Sequence, residues 1–234
     1  MSKIAPQRSR QSPFLSWVLC FLFGGILATP SVPQSAEPAA PSMGRIVFLG
    51  DSLTAAYGVD RELGYVALIQ ARIRSAGLPF EVVNAGVSGD TSAAGLRRLD
   101  WVLKAGAAVL VVELGGNDGL RGLPPASTRT NLQQVVDKTR QKSPSTQILL
   151  AGMKMPPNMG AEYAREYEQV FPSLAQSNNI ALIPFLLEGV GGVPKLNLPD
   201  LIHPTAEGHA KVAETVWTYL EPLLRKAADA SKRR

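Results

Sequence analysis

One serine, one aspartate–histidine pair and one asparagine stand in this chain at places suited to acyl-transfer chemistry. Ser52 follows the apolar run Ile46-Val47-Phe48-Leu49, within the segment Gly50-Asp51-Ser52-Leu53-Thr54. A serine just past a buried strand, with a glycine allowing a tight turn, is well placed as a nucleophile. Its hydroxyl is weak until a neighbouring base takes the proton. The same residue would serve equally as a helix N-cap. Gly50 fits the first glycine of a G-x-S-x-G elbow, but Thr54 occupies the second, so the segment is not that motif. The matching base is offered by Asp200-Leu201-Ile202-His203-Pro204. A carboxylate three residues before a histidine can orient the imidazole and stabilise its charged form. Standing alone, such a pair is more often a surface coincidence.

Two further segments carry polar groups suited to a developing negative charge. Asn117, in Glu113-Leu114-Gly115-Gly116-Asn117-Asp118, can donate its amide to an oxyanion, or simply bond its own turn backbone. The glycines of Asn84-Ala85-Gly86-Val87-Ser88-Gly89-Asp90-Thr91 let a backbone N–H face a ligand just before a helix start, or make a generic turn. Asp51, Asp90 and Asp118 are read as holders of their loops. With His203 and His209 the only histidines, a His-rich zinc site is excluded, although a site built of carboxylates and water is not. A metallophosphoesterase would need several histidines. His209 is expected to be an ordinary helix residue.

These segments depend on an alternating scaffold. Strands are expected at 46–49, 80–85, 107–114, 147–153 and 180–184. Apolar residues at helical spacing mark helices at 65–75, 91–104, 127–142 and 162–177. A last helix is expected to begin after Pro204, capped by Thr205 with Glu207 in its first turn, and to end near Leu224. Strands alternating with helices imply a parallel sheet covered on both faces, with the ligand at the carboxyl ends of the strands. The loops carrying Ser52, Gly89, Asn117 and His203 then meet at one sheet edge. Together they supply a nucleophile, oxyanion donors, a base and an orienting acid.

Composition agrees with one ordered domain: 45% of the 234 residues are apolar and 18% charged, enough for a substantial core. The formal charge of +5 is concentrated at the two ends, in Lys3, Arg8 and Arg10 and in Lys232, Arg233 and Arg234. Nucleic-acid binding has little support from so dispersed a remainder. Cys20 is the only cysteine, so no disulfide forms within the chain. The positive start followed by the uncharged stretch Phe14 to Ala28 reads as a signal segment at 1–28, being shorter than the ~20 residues of a membrane span. A Pro/Ala/Ser-rich linker at 29–44, a domain at 45–226 and a basic tail at 227–234 complete the expected organisation. The location expected is the periplasm or the exterior, the alternative being an N-terminal anchor facing the periplasm.

With these blocks in order, the chain closely resembles the SGNH, or GDSL-type, hydrolases, above all their bacterial secreted thioesterases, lysophospholipases and arylesterases. The resemblance runs from about Arg45 to Leu224. It is carried by Gly-Asp-Ser-Leu-Thr-Ala-Ala-Tyr-Gly at 50–58, Val-Ser-Gly-Asp-Thr-Ser at 87–92, Glu-Leu-Gly-Gly-Asn-Asp-Gly-Leu-Arg-Gly at 113–122, and Asp200 with His203. It implies a three-layer, flavodoxin-like α/β fold with a five-stranded parallel sheet in the order 2-1-3-4-5. Ser52 would be the nucleophile and Asp200–His203 its supporting pair. The N–H groups of Ser52 and Gly89 and the Asn117 amide would be the oxyanion donors. One departure is Leu201, which replaces a glycine often found after the catalytic aspartate.

The activity this implies is hydrolysis of carboxylic esters or thioesters through an acyl-enzyme, with no cofactor and no metal. The expected partners are small acyl esters or thioesters, lysophospholipid among them, and no nucleic acid. Membrane contact would come only through a retained signal segment, and the protein is expected to be a monomer. Two loops near the site, 119–125 and 153–159, are apolar, and Leu120, Leu123 and Met155 are candidate acyl contacts, unless the loops simply pack on the domain. A carbohydrate O-deacetylase and a non-catalytic exported lipid carrier are the alternatives.

Overall fold

Five strands and six helices alternate through residues 44–232, the part of the chain that the computed structural model describes. The signal segment, Cys20, the linker up to residue 43 and the last two residues lie outside the described residues. The strands are β1 (Gly44–Gly50), β2 (Phe80–Gly86), β3 (Val109–Glu113), β4 (Gln147–Ala151) and β5 (Ala181–Ile183). The helices are α1 (Tyr65–Ser75), α2 (Ser92–Val102), α3 (Gly116–Leu120), α4 (Pro125–Lys142), α5 (Ala161–Asn178) and α6 (Ala206–Lys232).

The sheet is wholly parallel with the order β2-β1-β3-β4-β5, as the resemblance implies. Crossovers between parallel strands are right-handed as a rule. The step from β1 to β2 runs one way along the sheet and all later steps run the other way. Helices therefore fall on both faces: α1 packs with α6, and α4 packs with α2 and α5. Central strands covered on both sides must be apolar throughout. Ile46 to Leu49 in β1 are fully buried, and all five residues of β3 are buried as well. The direction of winding reverses between β1 and β3, which opens a crevice at their carboxyl ends. Gly50 and Glu113 are register partners at that point.

The first four expected helices appear within a few residues of their predicted bounds. Two differences matter. A short helix, α3, stands where only a strand-end loop was expected, so Asn117 sits on a helix. The last helix runs on to Lys232, well past Leu224, because Val216, Leu220, Leu224 and Ala228 form a buried stripe at spacings of four. The segment read as a basic tail thus begins inside α6.

His209 joins α6 to the start of α1. It is 1% exposed, its Nδ1 accepts the Tyr65 N–H at 3.3 Å, and its ring stacks on the Tyr65 ring with centroids 6.2 Å apart. Burial, and then the charge of His203, lower it from 6.5 to about 4. Between those values the unfolded chain binds the extra proton, so this group's stability contribution is full above pH 6.5 and lost as pH falls to 4. Asp51 acts with the opposite sign, since burial raises its pKa from 3.8 to about 6 and the folded state gains the proton first. Comparison with a variant cancels that common contribution. The stability advantage of wild type over His209→Gln should shrink by about 3 kcal/mol from neutral pH to pH 4. Urea unfolding of both proteins across this range checks it, and a constant difference would contradict a neutral buried imidazole.

Candidate active site

The turn after β1 is built without room for a side chain at its start. A Cβ on Gly50 would lie 2.0 Å from Thr54 Oγ1 and 2.5 Å from Glu113 Oε2. Beyond it the chain coils back, with Ala55 N–H bonded to Asp51 O at 2.9 Å and Tyr57 N–H to Ser52 O at 3.0 Å. This leaves the Ser52 side chain half-buried at the mouth of the crevice. The His203 loop, 151 residues later, brings Nε2 to 2.9 Å from Ser52 Oγ. Behind the ring, Nδ1 lies 2.6 Å from Asp200 Oδ2. In the tautomer these contacts require, Nδ1–H donates to the carboxylate and Nε2 accepts the serine proton.

Asp200 also holds its own turn. Its Oδ1 accepts the N–H groups of Ile202 at 2.9 Å and His203 at 3.0 Å. Burial raises its pKa, but the bonds from His203 and Ile202 outweigh this and lower it to about 2. Leu201, at the position where a glycine is often found, has φ +59°. It takes the left-handed backbone that glycine adopts freely, at a cost of roughly 1–2 kcal/mol. The turn and the Asp-to-His spacing are thereby kept despite the departure. Tyr57 covers the other side of His203, with ring centroids 4.6 Å apart.

The candidate donors for a negative charge come from the Gly89 loop and from α3. Gly89 has φ +84°, a conformation costly for any residue with a Cβ. Among the described residues, neither its N–H nor that of Ser52 donates a hydrogen bond. The Arg121 guanidinium holds Gly89 O at 3.0 Å, and Arg98 clamps the same loop by pairing with Asp90 at 2.6 Å and donating to Gly50 O at 2.9 Å. Asn117 enters from α3, which starts immediately after Gly115 at φ +113°. Its Nδ2 donates to Asp51 Oδ2 and to Asp90 O, both at 3.0 Å. The two aspartates read as loop holders therefore also hold the Asn117 amide. Asp118 does support its surroundings: fully buried, it accepts from Ser92 N, Ser92 Oγ and Thr128 Oγ1, tying α3 to α2 and α4.

Glu113 and Thr54 escape a reading of residue types. Glu113 is completely buried beneath the Ser52 turn, accepting on Oε2 from Asp51 N (3.0 Å), Thr54 N (3.3 Å) and Thr54 Oγ1 (2.7 Å). The one available signal was a carboxylate within the buried run Val109 to Leu114.

Of the three candidate acyl contacts, Leu120 at the end of α3 and Leu123 just past it stand partly exposed, 37% and 38% accessible. Met155 is buried in the core, directly beneath Gly119, where a Cβ would lie 2.1 Å from its sulfur. The thioether fills the gap left by glycine and supports α3 from below. The 119–125 loop is itself tied down, since Tyr163 Oη donates to Leu123 O at 2.8 Å.

Known proteins share this architecture. The sequence pattern of the GDSL-like Lipase/Acylhydrolase family matches residues 48–211. The chain is 43% identical to Esterase TesA of Pseudomonas aeruginosa over 87% of its own length and 98% of that protein's. It is 34% identical to "Thioesterase 1/protease 1/lysophospholipase L1" of Escherichia coli, covering 89% and 94% of the two chains. A crystal structure of TesA superposes with a TM-score of 0.74 at 43% identity, over 76% of this chain and 99% of that one. With an elbow-less serine at the first strand end and all four sequence blocks at one sheet edge, the chain belongs to the GDSL-like lipase/acylhydrolase family.

Proposed function

We propose that this ester hydrolase works through Ser52 as nucleophile, His203 as general base and then acid, and Asp200 as the group that orients and stabilises the imidazole. The observation that carries this is the unbroken chain Ser52 Oγ–His203–Asp200, with contacts of 2.9 and 2.6 Å. His203 takes the hydroxyl proton as Oγ attacks the acyl carbonyl, then returns it to the departing alcohol or thiol. A water deprotonated by the same nitrogen releases the acid from the acyl-enzyme. The tetrahedral oxyanion meets the uncommitted N–H groups of Ser52 and Gly89. Asn117 joins them by keeping its bond to Asp51 and exchanging the one to Asp90 O for the oxyanion. A non-catalytic carrier would have no need of this intact constellation.

The proposed substrates are acyl esters and thioesters of short to medium chain, with lysophospholipids included on the strength of the exposed Leu120 and Leu123, on and just past the helix that carries Asn117. The relatives named as esterase, thioesterase, lysophospholipase and arylesterase support that range. Export is also proposed, supported by Lys3, Arg8 and Arg10 ahead of the apolar stretch Phe14 to Ala28, and a monomeric state is proposed beside it. Hydrolysis of p-nitrophenyl esters from acetyl to palmitoyl, with a lysophospholipid in parallel, tests the substrate range. An optimum at short or medium chains is expected, and a flat profile would remove the acyl groove. Run on cytoplasmic and exported fractions of cells expressing the full chain, with the exported activity sized by gel filtration, the series also tests location and assembly. Activity confined to the cytoplasm would overturn export, and elution as a dimer would overturn the monomer.

A further inference from the structure

Beneath the Ser52 turn lie two buried carboxyl groups that the mechanism above leaves unexplained. Glu113 is 0% exposed and Asp51 2% exposed. Acidic side chains are almost never so buried unless a cation or several donors compensate them. The nearby guanidinium of Arg98 is paired with Asp90 and reaches Gly50 O, bonding to neither carboxyl. The Asp51 N–H donates to Glu113 Oε2 at 3.0 Å, which sets the two carboxyls side by side. Two carboxyls in such contact do not both ionise.

The surrounding donors show which one holds the proton. Asp51 accepts with both oxygens, Oδ1 from Leu53 N at 3.0 Å and Oδ2 from the Asn117 amide at 3.0 Å. Glu113 gathers three donors on Oε2, while its buried Oε1 has no hydrogen-bond partner among the described residues. One of those donors is Thr54 Oγ1, whose single proton is thereby used, so Tyr65 Oη donates to Thr54 at 2.7 Å. Glu113 Oε1 is thus the one site in the cluster where an added proton completes the bonding. Burial pushes both carboxyls up, Glu113 well above the usual range and Asp51 to about 6.

We infer that Glu113 is a positioning residue for the oxyanion site: a neutral acid that donates Oε1–H to Asp51, so that one shared charge on Asp51 fixes the Asn117 amide. At the same time Oε2 pins the backbone on both sides of Ser52 through Asp51 N and Thr54 N. The inference rests on Asn117 being an oxyanion donor. A glutamine at 113 reproduces the arrangement, its oxygen taking the three donors and its amide nitrogen donating to Asp51. An alanine reproduces none of it.

The test is kcat and KM on a soluble p-nitrophenyl ester for Glu113→Ala, Glu113→Gln, Asn117→Ala and the double variant Glu113→Ala/Asn117→Ala. All rates are taken per active site titrated with an organophosphonate. Glu113→Ala should lose about 10²-fold in kcat with KM little changed, the scale of a misplaced catalytic group. Glu113→Gln should stay close to wild type. In the Asn117→Ala background the Glu113→Ala loss should largely vanish, since the group it acts through is gone. Additive losses, or a Gln variant as damaged as the Ala variant, would overturn the inference while leaving Asn117 in the mechanism. An undamaged Asn117→Ala would overturn both. Should Glu113→Ala not fold, difference infrared spectra of wild type and Glu113→Gln at neutral pH decide the matter. A protonated-carboxyl C=O band that the Gln variant lacks supports the inference, and no such band in wild type overturns it.

Discussion

Ser52→Ala is expected to lower kcat for ester hydrolysis by roughly 10⁶-fold, the scale of nucleophile loss in serine hydrolases, and to leave the fold intact. The size follows from the role: without Oγ no acyl-enzyme forms, and only the oxyanion donors and substrate binding remain to help water. The intact fold follows from the structure. Among the described residues Ser52 Oγ hydrogen-bonds only His203, whereas the turn is held by main-chain bonds and by Glu113, Asp51 and Thr54. Paired measurements of thermal midpoint and of p-nitrophenyl ester turnover check both halves. A variant that retains wild-type turnover would place the chemistry elsewhere, and one that unfolds would make Ser52 a structural residue.

Asn117→Ala should cost about 10²–10³-fold in kcat with a much smaller change in KM, because the amide meets full charge only in the transition state. This variant also has a structural consequence. It strips a donor from Asp51 Oδ2 and from Asp90 O, and a buried acceptor left without its partner costs about 1–3 kcal/mol. The thermal midpoint should therefore fall by several degrees, at about 2–4 °C per kcal/mol for a domain of this size. Turnover per titrated active site separates the two effects. If the kcat loss disappears once the folded fraction is counted, Asn117 is only a brace between the Asp51 and Asp90 loops.

These two residues also show what local reading can and cannot reach. Ser52 after an apolar strand and Asp200 three residues before His203 could be singled out as candidates from short-range signals, each with an ordinary structural reading beside it. The Asx-type bonding of Asp200 to Ile202 N and His203 N is complete within four residues. The alternation of strands and helices was equally legible, since the apolar spacing that marks each element comes from the face that element buries. Strand order was not readable from periodicity, and only the resemblance of the four sequence blocks supplied 2-1-3-4-5.

What the tertiary structure decided is the support beneath the site. Glu113 matters because sheet register sets it beside Gly50, 63 positions earlier in the chain, under a turn with no room for a Cβ. Met155, Leu120 and Leu123 have similar apolar character, yet the first fills the gap below Gly119 while the others stand at the surface. Likewise α6 outlasts its expected end because Leu224 and Ala228 continue a buried stripe. Residue type and spacing settle which groups can react. Burial and the partners of buried charge arise only when distant segments close on one another, so whether a carboxyl is a loop holder, a proton donor or a tether is decided there.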